Sequence, residues 1–145
     1  MLATHSRAAL CPLLAAAAAA CTPAADGIDH QGKTFDAVTP EDAVTLTGTE
    51  PFWTLAIAAG EGVWTTPDNQ PGTRFAVQRF AGNNGLGFSG ELDGKPLTAT
   101  LTPGACSDGM SDRRFPFVAT IALGGETFKG CGYTTRQPFT GEEAP

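Results

Sequence analysis

The chain has 145 residues, with 15 acidic against 9 basic side chains and a formal charge of −6. That length holds one domain and excludes two once a leader is set aside, while the charge excludes a nucleic-acid binder and leaves no basic patch for docking on anionic lipid. Eighteen glycines and eleven prolines interrupt helices, yet an apolar fraction of 41% still builds a core, so the composition is that of a turn-rich folded chain.

Residues 1–20 carry Arg7 and no acid, then run through Ala8, Ala9, Leu10, Leu13 and Leu14 into alanines 15 to 20. The apolar run is too short and too weakly hydrophobic to cross a bilayer, and it reads as a secretory signal peptide. Its ending, Ala18-Ala19-Ala20-Cys21, resembles a bacterial lipobox, with alanine at 18 where leucine is commonest. The resemblance implies cleavage before Cys21 and acylation of that cysteine, whose two or three chains give stable membrane anchoring where one would not. Ala18 and Ala20 also satisfy the small-x-small rule of an ordinary signal, so a soluble periplasmic or secreted product is the alternative. Cys11 leaves with the signal. Residues 21–43 are polar, hold two prolines and five acids, and read as a flexible tether. By the sorting pattern of similar lipoproteins, Thr22 implies delivery to the outer membrane, facing the periplasm.

From Val44 the apolar residues recur at period two, the mark of strands. Val44 and Leu46 alternate with threonines, Trp53, Leu55 and Ile57 with Thr54 and Ala56, and Phe75 and Val77 with their polar neighbours. Leu97, Ala99 and Leu101 follow, then Phe115, Phe117, Ala119, Ile121 and Leu123. Turn chemistry stands between these runs at Gly60-Glu61-Gly62, Asn83-Asn84-Gly85, Asp93-Gly94 and Gly124-Gly125. The last two suit tight hairpins. The expected fold is all-β, a small antiparallel barrel or sandwich of about eight short strands over residues 44–135, with a tail at 136–145. Trp53, Trp64, Phe75, Phe80, Phe88, Phe115, Phe117 and Phe128 are the expected bulk of its core.

With Cys11 and Cys21 set aside, Cys106 and Cys131 remain, and an oxidising compartment favours their pairing. The bridge closes a loop of about 25 residues, worth roughly 3 to 4 kcal/mol in the chain-entropy model. A metal site or redox thiol pair is the alternative. Against these, His5 lies in the leader and His30 in the tether, and the vicinal redox spacing is absent.

The segments GTEPFW (48 to 53), CSDGMSDRRFPF (106 to 117) and GGETFKGCG (124 to 132) resemble the hallmark segments of a family of small bacterial envelope lipoproteins without an assigned activity. The likeness spans Thr47 to Gly132 and implies location and fold. A weaker likeness, in size, β-content and signal alone, is to META or HslJ-like envelope domains. Within these segments Glu50, Asp108, Asp112, Arg113 and Arg114 are the candidate binding residues, since a carboxylate beside aromatics needs a partner and arginine forks hold anions. Phe52 and Trp53 read as core rather than as a ligand platform.

The 107–114 loop has three readings: a self-satisfied turn, a binding site for an anionic ligand or an envelope protein, or an enzyme site using Ser107, Ser111 or the acids. No catalytic residue is assigned, because the domain holds no histidine beside those serines. No metal ligand set or cofactor motif is present, and Asp108 with Asp112 falls short of a calcium loop's acidic ladder. The expected function is that of a non-catalytic, lipid-anchored binding or interaction module of the cell envelope. An envelope hydrolase or redox enzyme working through the 106–114 loop is the alternative.

Overall fold

The computed structural model describes residues 33–142, so the leader, Cys21 and the first part of the expected tether lie outside the described residues. Eight strands follow one another: β1 (Val44–Thr49), β2 (Phe52–Ala58), β3 (Glu61–Thr66), β4 (Asn69–Ala81), β5 (Leu86–Leu92), β6 (Lys95–Cys106), β7 (Phe115–Leu123) and β8 (Glu126–Thr134). Each pairs antiparallel with its neighbour in sequence, and β1 closes on β8 from Val44↔Thr134 to Thr47↔Cys131. The result is a closed up-and-down barrel, which leaves no strand edge unpaired along the closing seam. Of the two expected architectures the barrel is therefore the one adopted, and no helix occurs among the described residues.

Hairpins at Ala59-Gly60, Asp93-Gly94 and Gly124-Gly125 each have two loop residues with positive φ at both. That is the type I′ geometry whose twist matches paired strands. The turn expected at Gly60-Glu61-Gly62 thus falls one residue earlier, because Ala58↔Glu61 and Ile57↔Gly62 are already strand pairs. A further tight turn, Glu50-Pro51, carries a cis peptide and joins β1 to β2.

Period two governs what enters the barrel. Leu46, Leu55, Leu97, Leu101, Phe88, Phe117 and Ile121 are fully buried in one cluster with Trp53, Trp64 and Val77, so the interior is filled by side chains rather than left as a channel. Two of the eight aromatics expected to supply the bulk of the core stand elsewhere. Phe80 is 64% exposed, because the alternation set by Phe75 and Val77 turns Arg79 inward and Phe80 outward. Its ring lies over Gly87 of β5, where a Cβ would meet it at 1.8 Å. Phe115 is buried, but against Tyr133 and Phe139 at ring distances of 6.1 and 5.5 Å, outside the main cluster.

One end of the barrel is plugged by chain expected to be tether. Val38, 1% exposed, belongs to the core cluster and Phe35 packs against it. Phe35 N–H donates to Gly82 O at 2.8 Å, and Arg79 Nη2 donates to Val38 O at 2.7 Å from the end of β4. Asp42 locks this segment to the C-terminal tail: it accepts from Thr39 N–H at 2.7 Å and from Arg136 Nε at 2.9 Å. Gln137 Nε2 adds a bond to Ala37 O, and Arg114 and Thr140 exchange backbone bonds. Residues 35–42 therefore belong to the folded domain and not to a tether, because Phe35 and Val38 have a barrel end to fill.

Asp42's carboxyl is held below its ordinary value of 3.8, first by the Thr39 N–H, with the hydroxyl of Thr39 and the Arg136 guanidinium adding to it. A lowered folded-state pKa stabilises the folded form fully above the unfolded value, and that contribution is lost as pH falls through the folded value. The clasp is expected to hold across neutral pH and to loosen only in acid below about pH 4. Hydrogen-exchange protection at Phe35 and Val38, taken relative to the intrinsic rate at each pH, checks this: Asp42→Asn should show at pH 6 the low protection that the wild type shows only in acid. Unchanged protection in Asp42→Asn would mean that apolar packing alone seats the plug.

Candidate functional site

Strand β6 runs on past β5, whose pairing with it ends at Leu86↔Leu101. Its pairing with β7 is regular from Leu97↔Leu123 to Pro103↔Phe117, then shifts register before Cys106↔Phe115. Past this irregularity Gly104 comes against Val118, whose side chain is exposed on the outer face of β7, and Cys106 bonds to Cys131 of β8. Cys131 faces outward, since the residues on either side of it pair with inward Phe117 and Ala119. The bridge, with Cα atoms 5.6 Å apart, therefore fastens the 103–114 segment across the outer wall, and Thr49 Oγ1 of β1 donates to Asp108 O at 3.2 Å beyond it.

The loop satisfies its own polar groups. Asp108 Oδ1 accepts from Met110 N–H at 3.0 Å and Ser111 N–H at 2.9 Å, while Oδ2 accepts from Ser111 Oγ at 2.7 Å. These bonds, the Met110 amide first, lower the Asp108 pKa from its ordinary value. Ser107 Oγ accepts from Gly109 N–H at 3.2 Å and from Arg114 Nη1 at 3.5 Å; Ser111 Oγ accepts from Arg113 N–H. Such side chain to backbone bonds are how short polar residues fix a turn.

The five candidate binding residues divide into two groups. Glu50 and Asp108 line one open cleft of about 580 Å³ together with Lys129 and Met110. Asp112, Arg113 and Arg114 belong to the other side of the loop, next to the C-terminal tail. There Arg113 stacks on Phe139 at 4.5 Å from the ring centroid, Arg114 pairs with Thr140, and Gly141 passes against the Asp112 carbonyl. Among the described residues no three His, Cys, Asp or Glu side chains gather as a metal site, and no helix is long and apolar enough to cross a membrane.

A second concavity lies at the unplugged end, lined by aromatic residues expected in the core. Trp53 and Trp64 stack there at 5.5 Å with an interplanar angle of 10°, and Phe128 meets both edge-on at 6.4 and 5.7 Å. Trp53 inserts because β1 and β8 offer glycine beneath it: its indole edge occupies the place a Cβ would take at Gly48 or Gly130. The Trp53 Nε1–H is buried there without an acceptor. Above the stack a pocket of about 460 Å³ opens between Pro51, Phe52, Pro67, Asp68, Leu123 and Phe128. Phe52 at its lip is 52% exposed. The signal was present in the sequence as parity, since Trp53, Leu55 and Ile57 claim the inner face of β2 and leave Phe52 outside it.

Chemically, the two concavities differ. The stapled loop offers hydroxyls and a carboxylate already engaged with backbone, whereas the open end offers aromatic and proline surface with a carboxylate at its lip. Comparison with known proteins finds no matching family model, no similar curated protein and no similar solved structure.

Proposed function

We propose that this protein is a non-catalytic binding module of the cell envelope, carried by an acylated Cys21 and presenting the unplugged end of its barrel to a ligand. The observation that supports this most is the asymmetry of the two ends. One is filled by Val38 and fastened through Asp42, and the other ends in a half-exposed Phe52 above stacked indoles. Barrel mouths of this size and lining are common small-molecule sites.

The chemistry of the stapled loop argues in the same direction. A serine nucleophile needs a base, and the carboxylate bonded to Ser111 Oγ is Asp108, whose lowered pKa makes it a weak one. Its other oxygen is committed to two amides that shape the turn.

Two measurements test the proposal. Cys21→Ser is expected to abolish acyl labelling and release the protein from membranes, and retained labelling would overturn the anchor. Thermal unfolding of the full-length chain with the small-molecule fraction of an envelope extract is expected to show a midpoint raised by several degrees, as saturating ligand contributes about 2.7 kcal/mol at 100 times Kd. A midpoint unmoved by the whole fraction would sink the binding reading.

A further inference from the structure

The open end carries acids around its rim as well as an unfilled pocket. Four turns or strand starts ring it, and each carries an acid: Glu50 between β1 and β2, Asp68 between β3 and β4, Asp93 between β5 and β6, and Glu126 at the start of β8. Lys95 and Lys129 are the cations on the same side of the barrel. The arginines of the described chain other than Arg74 cluster toward the plug and the tail, where Arg79 and Arg136 hold Val38 O and Asp42 and where Arg113 and Arg114 meet Phe139 and Thr140. An acidic rim around a low-dielectric concavity concentrates cations at its mouth.

Inside that rim the pocket presents ring faces and edges from Phe52, Trp64 and Phe128, with Asp68 as the charged residue of the lining. Aromatic faces attract organic cations, and the attraction strengthens when water is excluded. An anion meets the opposite balance, and a neutral polar molecule finds Thr66 but few other hydrogen-bonding partners in the lining. The volume of about 460 Å³ suits a compact body rather than a long chain.

From these features we infer that the open mouth binds a small free organic cation, an ammonium group on an aromatic or branched apolar body, with Asp68 facing the charge and Phe52 and Phe128 enclosing the body. This inference rests on the binding reading above and names its ligand class.

Both tryptophans of the chain, Trp53 and Trp64, form the floor of this pocket, so intrinsic tryptophan fluorescence reports on it without another source. The experiment titrates the full-length Cys21→Ser chain, free of detergent and acyl chains, with benzyltrimethylammonium, benzyl alcohol and phenylacetate. Benzyltrimethylammonium is expected to give a saturable change at roughly tenfold lower concentration than benzyl alcohol, and phenylacetate none, in keeping with a cation–aromatic term of about 1 to 2 kcal/mol. Asp68→Asn, an exposed substitution, is expected to reduce that preference to the share carried by the aromatic rings, and Phe52→Ala to weaken both ligands. Equal binding of the cation and the neutral alcohol, or binding of phenylacetate as tight as the cation's, overturns the inference. So does a cation preference that is undiminished in Asp68→Asn. If none of the three probes binds while the envelope fraction still raises the unfolding midpoint, the ligand class is wrong and the binding module stands; if neither responds, both fail.

Discussion

Replacing both bridge cysteines, as Cys106→Ala with Cys131→Ala, is expected to lower stability by about 3 to 4 kcal/mol and the unfolding midpoint by roughly 10 to 20 °C. The magnitude follows from the loop closed, 25 residues from one cysteine to the other, which the unfolded chain regains when the bridge is cut. The placement of the bridge adds a local consequence. It lies on the outer wall and crosses β7, so the barrel interior keeps its packing while the 103–114 segment loses its fastening to β8. Faster hydrogen exchange should therefore appear first at Met110 and Ser111, whose amides depend on the Asp108 turn, and not at Leu97 or Ile121 in the barrel wall. Denaturant unfolding with exchange measured by residue checks both. A loss under about 1 kcal/mol would show that Thr49 and the Arg114–Thr140 pairing suffice to hold the segment.

The bridge was legible from the sequence by elimination, but its position was not. Period two across Phe115 and Phe117 carries no sign that β6 breaks register after Pro103, and that break is what brings Cys106 across β7. Strand number and hairpin chemistry were readable because each depends on residues a few positions apart: Asp93-Gly94 and Gly124-Gly125 adopt the expected positive φ values. The plug was not readable, since Val38 and Phe35 lie isolated among polar residues and acquire a core only through Arg79 and Gly82, more than 40 positions away. The errors at Phe52 and Phe80 are of another kind. There hydrophobicity outweighed parity in the reading, whereas the fold obeyed parity, because a one-residue slip would have expelled Trp53 or Val77 instead. The candidate site suffered accordingly: the charged loop was visible in sequence, and the aromatic mouth was hidden among residues counted as core.

That mouth depends on two glycines, and Gly130→Ala is expected to cost about 3 kcal/mol or more. Pairing of β1 with β8 ends at Thr47↔Cys131, directly beside both glycines. A Cβ on Gly130 would stand 2.0 Å from the Thr47 carbonyl oxygen and 2.8 Å from its carbon, and one on Gly48 would stand 2.9 Å from the Lys129 carbonyl oxygen. Backbone cannot step aside as a flexible side chain does, so the closing seam must part, and the loss lies at or beyond the upper end of ordinary overpacking. The same Cβ would meet Trp53 Cζ2 at 3.0 Å and push the indole off its partner. Gly104→Ala is the matched control, because its Cβ would meet a side-chain methyl of Val118 at 3.3 Å on the exposed outer face; it is expected to cost less than about 1 kcal/mol. Denaturant midpoints rank the two variants, and tryptophan emission reports the stack directly. A Gly130→Ala chain with the stability of Gly104→Ala and unchanged emission would mean that the seam and the floor of the mouth do not share this contact.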